Sequence, residues 1–259
     1  MLPPPAANPA ADGPTHANAA AESLELFRRS WQSYRLVLEH DLMEHRSLTA
    51  ALEPELRAAC QRWRQQRPDQ PLELIDLGCG DLALLPEIYR NLPLDRFLGL
   101  DASPPVLPLA RQALEPAPFA CEWLCDDLSR WLLDPGSPQL AIVVSCFALH
   151  HLDHNGKRRV LAALRRRLRP GGVVLLADMM RHDGDSHAEH MRRNLGRVSC
   201  WAAVMGAAAS QAIHDHVAHC DRPADLRELM DQARACGWRP SVIWSDNDRL
   251  EALLRLEPV

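Results

Sequence analysis

The chain has 259 residues, enough for one sizeable domain with insertions or for two small ones. It is 47% hydrophobic and 24% charged, an ordinary globular composition, and a net charge of -5 gives no support to a nucleic-acid or anionic-membrane partner. Eight cysteines are scattered, several inside apolar runs (Cys79, Cys146, Cys200), which suits reduced thiols in a cytoplasmic protein better than a disulfide framework.

Residues 1–21, rich in Pro, Ala and Asn, lack the basic start and apolar block of a signal peptide and read as a disordered tail. From Glu22 to about Gln66 the spacing predicts two helices. Leu24, Phe27, Trp31 and Tyr34 recur at helical intervals, as do Leu48, Leu52, Leu56 and Trp63. After Pro68 and Pro71, strands and helices alternate. Glu73–Leu77 is the first strand, followed by a glycine turn and a helix that starts near Asp81. Arg96–Asp101 is the second strand, followed by Ser103 as a helix N-cap and Pro104 as the first helical residue. Glu122–Cys125 and Ala141–Cys146 are the third and fourth strands. Lys157–Leu168 is an amphipathic helix with Val160, Leu161 and Leu164 on one side.

Pro170-Gly171-Gly172 then makes a turn into a fifth strand, Val173–Ala177. Residues 181–221, rich in Ala, His and Arg, interrupt the alternation with a helical insertion. Its weakly polar stretch from Val198 to Ile213 is too short to span a bilayer, which needs about 20 apolar residues. A helix through Leu226, Leu229, Met230 and Ala233 ends at Gly237, and Ser241–Trp244 is a sixth strand. Leu250–Leu256 fits a strand or a helix, and its local pattern favours helix. Alternation of this kind implies an α/β fold, a doubly wound parallel sheet covered on both faces.

Glu73–Asp81, ELIDLGCGD, is the nucleotide-binding corner of such a sheet, because its glycines let backbone approach a ligand closely. Gly78-Cys79-Gly80-Asp81-Leu82-Ala83 fits the dinucleotide pattern G-x-G-x-x-G/A, and Asp101 lies where a carboxylate accepts from ribose hydroxyls. An NAD-dependent oxidoreductase is therefore one reading. Asp76 favours another. A pyrophosphate seated on a helix N-terminus gains nothing from an anion two residues before the first glycine, whereas a cationic ammonium and sulfonium do.

Further along, Cys125-Asp126-Asp127-Leu128 follows the third strand, SCFALHHLD (145–153) the fourth, and LRPGGVVLLADMM (168–180) contains the fifth. With these motifs in order, the stretch from Leu72 to Trp244 resembles the class I S-adenosylmethionine-dependent methyltransferases, in particular a small-molecule branch with HHL after strand four. The resemblance implies a Rossmann-like sheet of about seven strands, N-terminal helices over 22–67 as a cover, and the 181–221 insertion over an acceptor pocket, all in one domain at 22–259. S-adenosyl-L-methionine is the implied cofactor. Asp76, Gly78, Cys79 and Gly80 would line its methionine part, with backbone contact from Cys146. Asp101 would bind the ribose, Ala102 flank the adenine, and Asp127 with Leu128 hold it, although Asp126 competes for that role. The third glycine of the family's loop is Leu82 here.

The implied activity is methyl transfer to an oxygen or nitrogen of a small-molecule acceptor. A non-catalytic S-adenosylmethionine-binding module is the remaining alternative. His150 and His151, at the carboxyl edge of the sheet, are candidate general bases. Tyr34 lies in the N-terminal cover with His40 and His45, and could touch the ligand. Arg181 and His182 head an insertion set (Asp183, His187, His190, Arg192, Arg193) whose arginines suit a substrate carboxylate or phosphate. No metal is expected. His214, His216, His219 and Cys220 invite one, but His214 and His216 cannot share a helix face. Cys121 and Cys125 make no convincing pair, and the basic runs at Lys157–Arg159 and Arg165–Arg167 read as a solvated helix face.

Overall fold

The computed structural model describes residues 32–259, so Leu24, Phe27, Trp31 and the tail expected at 1–21 lie outside the described residues. Helix α1 occupies 32–39 of the described residues, and α2 spans His45–Gln66. The rest is β1 Glu73–Leu77, α3 Pro86–Arg90, β2 Arg96–Asp101, α4 Leu107–Leu114, β3 Ala120–Cys125, α5 Leu128–Leu133, β4 Leu140–Cys146, α6 His154–Arg167 and β5 Leu168–Arg181. Then come α7 His187–Cys200, α8 Ala202–Met205, α9 Ala207–Cys220, β6 Ala224–Asp225, α10 Leu226–Ala235, β7 Trp238–Ser245 and β8 Glu251–Pro258.

The sheet runs in the order β3-β2-β1-β4-β5-β8-β7, with the two-residue β6 paired to the end of β5. β1 to β5 are mutually parallel, and β8 is antiparallel to both β5 and β7. Side-chain alternation assigns each strand to two cores. Leu74, Ile142, Val144, Val173 and Leu175 face one side, where α2 packs Leu48, Leu52, Leu56 and Trp63. Ile75, Leu77, Val143, Val174 and Leu176 face the other, against Val160, Leu161 and Leu164 of α6 and Leu229 of α10. Burial on both faces explains why the central strands read as continuous apolar runs.

A third, smaller core joins Val37 of α1 to Val198, Trp201, Ile213 and Val217 of the insertion and to Met179 at the end of β5. Ser186 and Glu189 form a capping box that starts α7, and Gly206, at φ 86°, separates α8 from α9. None of the helices among the described residues is long and apolar enough to cross a membrane.

Several expectations change. The stretch expected as a helix at Leu250–Leu256 is strand from Glu251 onward, because ladders on both sides and burial of consecutive Ala252, Leu253 and Leu254 override its helical pattern. Pro170–Gly172 is a bulge inside a longer β5, not a turn before it: Leu140 pairs with Leu168 and Ile142 with Val173, so 169–172 stand opposite Ala141. A Cβ on Gly172 would lie 2.5 Å from the Ala141 carbonyl oxygen, so the bulge requires glycine. The helices after β1 and β2 begin later than expected, at Pro86 and Leu107, because Asp81 and Ser103 bond within their own turns.

Candidate active site

The chain order reverses between β1 and β4, and a cavity of about 480 Å³ opens there beyond the carboxyl ends of the strands. All nine residues expected at the cofactor line it: Asp76, Gly78, Cys79, Gly80, Asp101, Ala102, Asp127, Leu128 and Cys146. The turn after β1 is held by backbone. The amides of Gly78 and Cys79 both donate to the Leu100 carbonyl, at 2.7 and 3.0 Å. Gly78, at φ 74°, passes so close to the next loop that a Cβ would sit 2.5 Å from that of Ala148. Leu82 replaces the usual glycine yet keeps the left-handed conformation at φ 55°, a strain of about 1–2 kcal/mol carried by a side chain buried in the core.

Asp76 is 2% exposed. One carboxylate oxygen accepts from the Tyr89 hydroxyl at 2.8 Å, and the other is buried without a partner. Burial pushes its carboxyl up to about 7, against the pull of the Tyr89 hydrogen bond. Asp101 accepts the Gly80 amide at 2.9 Å and the Ser103 amide at 2.8 Å, which aims the carboxylate into the cavity mouth. Burial raises its pKa and these amides offset part of the rise. Of the two acids after β3, Asp127 caps α5 and lines the cavity, whereas Asp126 pairs with Arg130 at 2.5 Å.

The far end of the cavity has a different character. His150, in a short 3₁₀ turn after β4, is buried, and its Nδ1 lies 2.6 Å from Asp178 of β5. Burial alone would lower its pKa, but Asp178 and Asp221 outweigh it and hold His150 above the usual histidine value. The His151 ring lies tilted against that of His150, centroids 4.0 Å apart, and meets His216 of α9 edge-on at 5.6 Å. Burial and the two neighbouring imidazoles pull it down to about 4. Asp221, just past α9, faces all three rings.

Around this cluster the walls are apolar: Val37, Met43, Met179, Val198, Ile213 and Val217. Tyr34 lines the same space and its hydroxyl lies 3.4 Å from His45 Nε2. Arg197 reaches the cavity too, but Glu251 clamps it with contacts of 3.0 and 2.5 Å and Trp201 lies under it at 5.4 Å. Burial pushes Glu251 up to about 8 despite Arg197.

Two expected substrate residues lie elsewhere. β5 continues past the cavity to pair with β6, which hands Arg181 to Glu228 of α10 at 3.6 Å. His182 turns to the Asp248 carbonyl at 2.7 Å. In the same way Lys157 is not on a solvated face: it is buried and donates to the Arg222 carbonyl at 2.6 Å. Asp178, Asn194, Arg197 and Asp221 also line or flank the site, and linear spacing did not find them. The one available signal is the acid that interrupts VVLLADMM.

Residues 74–172 match the family model of a methyltransferase domain. Over that stretch the chain is similar to the class I S-adenosylmethionine-dependent methyltransferases. A trans-aconitate 2-methyltransferase of Azoarcus sp. is 35% identical over 144 residues, 56% of this chain and 52% of that protein. The chain spans about half the length of the curated relatives it matches first. Among solved structures, an O-methyltransferase family protein from Burkholderia thailandensis aligns over 79% of this chain and 55% of its own, with TM-score 0.54 and 17% identity. The CurJ carbon methyltransferase aligns over 76% and 51%, with TM-score 0.53 and 11% identity. Both share the fold. These matches favour S-adenosylmethionine over a nicotinamide dinucleotide as the cofactor.

Proposed function

We propose that this chain moves the methyl group of S-adenosylmethionine to an oxygen or nitrogen of a small, largely apolar acceptor. The observation that carries the reading is a single cavity with two chemically distinct ends. One end fits the cofactor: the orphaned Asp76 oxygen suits its ammonium group, and nothing lies within 4 Å of a Cβ built on Gly80, leaving a cradle for ligand. Asp101 would take the ribose hydroxyls, Asp127 and Leu128 the adenine with Ala102 beside it, and Cys146 the methionine part through its backbone. When bound, the sulfonium supplies an activated methyl group. The protein's own part is to hold the acceptor in line with it and to keep water away, which can account for much of such a reaction's acceleration.

The cluster of His150, His151 and His216 with Asp178 and Asp221 is placed to favour loss of the acceptor's proton and so make it a nucleophile. Trans-aconitate, named for the Azoarcus relative, is a poor fit. Among the described lining residues Arg197 is the sole arginine or lysine, and Glu251 already engages it.

The test is a calorimetric titration with S-adenosylhomocysteine, followed by mass spectrometry of phenols, amines and tricarboxylates incubated with S-adenosylmethionine. Binding and methylation of apolar phenols or amines are expected. A folded protein that ignores S-adenosylhomocysteine would overturn the activity, and turnover of tricarboxylates alone would overturn the acceptor class.

A further inference from the structure

We propose that His150, His151 and Asp221, with His216 beside them, bind one divalent transition-metal cation at the acceptor end of the cavity. The inference deepens the methyltransferase reading and rests on it for the meaning of that end, but not for the site itself.

The centre of the site is Asp221 Oδ1. Asp221 is 1% exposed, and this oxygen has no hydrogen-bond partner. A buried carboxylate oxygen left unpaired is costly. Three imidazole nitrogens surround it without bonding to it: His150 Nε2 at 3.5 Å, His151 Nδ1 at 3.7 Å and His216 Nε2 at 3.9 Å. These separations are too long for good hydrogen bonds. They suit ligand atoms sharing a cation, since bonds of about 2.1 Å in tetrahedral array put the ligand atoms about 3.4 Å apart. The donor atoms of His150, His151 and Asp221 all lie within 4.8 Å of one another.

The surroundings are those of a metal-binding histidine. His150 gives its Nδ1 to Asp178 at 2.6 Å, which fixes the ring and leaves Nε2 directed at Asp221. The backbone holds the halves together across some 70 residues of sequence. The Arg222 amide donates to the His150 carbonyl at 2.7 Å, and buried Lys157 bridges the carbonyls of Leu152 and Arg222. Three protein ligands with an open side toward a cavity is the pattern of a catalytic rather than a structural site. Two imidazoles and a carboxylate suit zinc, iron(II), cobalt(II) or manganese(II) better than calcium or magnesium. A cation there gives an otherwise apolar pocket one attachment point for an acceptor oxygen or nitrogen and favours loss of its proton.

The experiment titrates chelator-treated full-length protein with Co²⁺ and then Zn²⁺, read by visible absorption and calorimetry, with S-adenosylhomocysteine titrated in parallel. We expect one equivalent of Co²⁺ with the spectrum of a nitrogen and oxygen site, displaced by Zn²⁺. Asp221→Ala and His151→Ala should each weaken binding by about 100-fold or more. Asp178→Asn should weaken it about 10- to 100-fold, through His150. His151 is 45% exposed at its side chain, so its replacement spares the fold. Protein that binds S-adenosylhomocysteine but neither metal would overturn the site while leaving the methyltransferase reading intact, as would metal binding undiminished in both ligand variants. Metal binding without S-adenosylhomocysteine binding would keep the site and overturn that reading.

Discussion

The two ends of the cavity are built by different means. The end near Asp76 and Asp101 comes from three βα turns, after β1, β2 and β3, and each contributes within a few residues of its strand. Its bonds run largely through backbone: Gly78 and Cys79 to Leu100, and Gly80 and Ser103 to the Asp101 carboxylate. The end near His150 comes from α1, the turn after β4, the end of β5, α7, α9 and β8. Its bonds run between side chains far apart in the chain: His150 with Asp178 and Arg197 with Glu251. The first kind of site is set by turn geometry and tolerates change in the helices around it. The second exists only while several elements stay docked.

That difference is testable by the penalty each end exacts. At the side-chain end, Arg197→Leu should cost about 3–5 kcal/mol in urea unfolding, because it leaves the two buried acids Glu251 and Asp246 facing each other without their cation. A loss below 1 kcal/mol would mean that the α7 to β8 clamp does not hold the insertion. At the backbone end, Asp101→Ala should weaken S-adenosylhomocysteine by about 3 kcal/mol, roughly 100-fold, with the fold intact by circular dichroism. Unchanged affinity would remove Asp101 from the ribose.

Protonation of Asp76 gives a finer probe. Its folded value of about 7 lies above the usual carboxylate value, so the stability it contributes is full below about pH 4 and lost as pH rises through 7. Ligand affinity should move the opposite way, because only the ionised carboxylate attracts an ammonium group. Calorimetry between pH 5.5 and 8 should show S-adenosylhomocysteine affinity rising by up to about tenfold per unit and levelling above 7, with proton release on binding. A flat profile would separate Asp76 from the amino group. The smallest stability effect belongs to Gly80→Ala, about 1–2 kcal/mol for a Cβ at φ 54° with open space around it. Its effect on cofactor affinity should be larger than that on stability, since the new methyl enters the cradle.

Much of the backbone end was legible in advance. An apolar run ending in glycines, an acid at a strand end and Asp127 before a helix are local patterns, and turn conformation depends on neighbours in sequence. The sequence pattern favoured Asp127 over Asp126 without separating them, and the ion pair of Asp126 with Arg130 is a difference that only the folded chain shows. Leu82 in a glycine conformation was likewise hidden, since its strain is tolerated only through burial of its side chain among distant residues.

By itself the sequence determined the succession of strands and helices, the glycine corner and the cofactor class, because periodicity and turn chemistry act over a few residues. Tertiary structure alone decided that Glu251–Leu256 is a strand between two others, that Arg181 and His182 leave the cavity, and that His150, His151, His216 and Asp221 converge. Those outcomes depend on ladder partners and on side chains meeting across as many as 70 residues, and no local pattern encodes such a meeting.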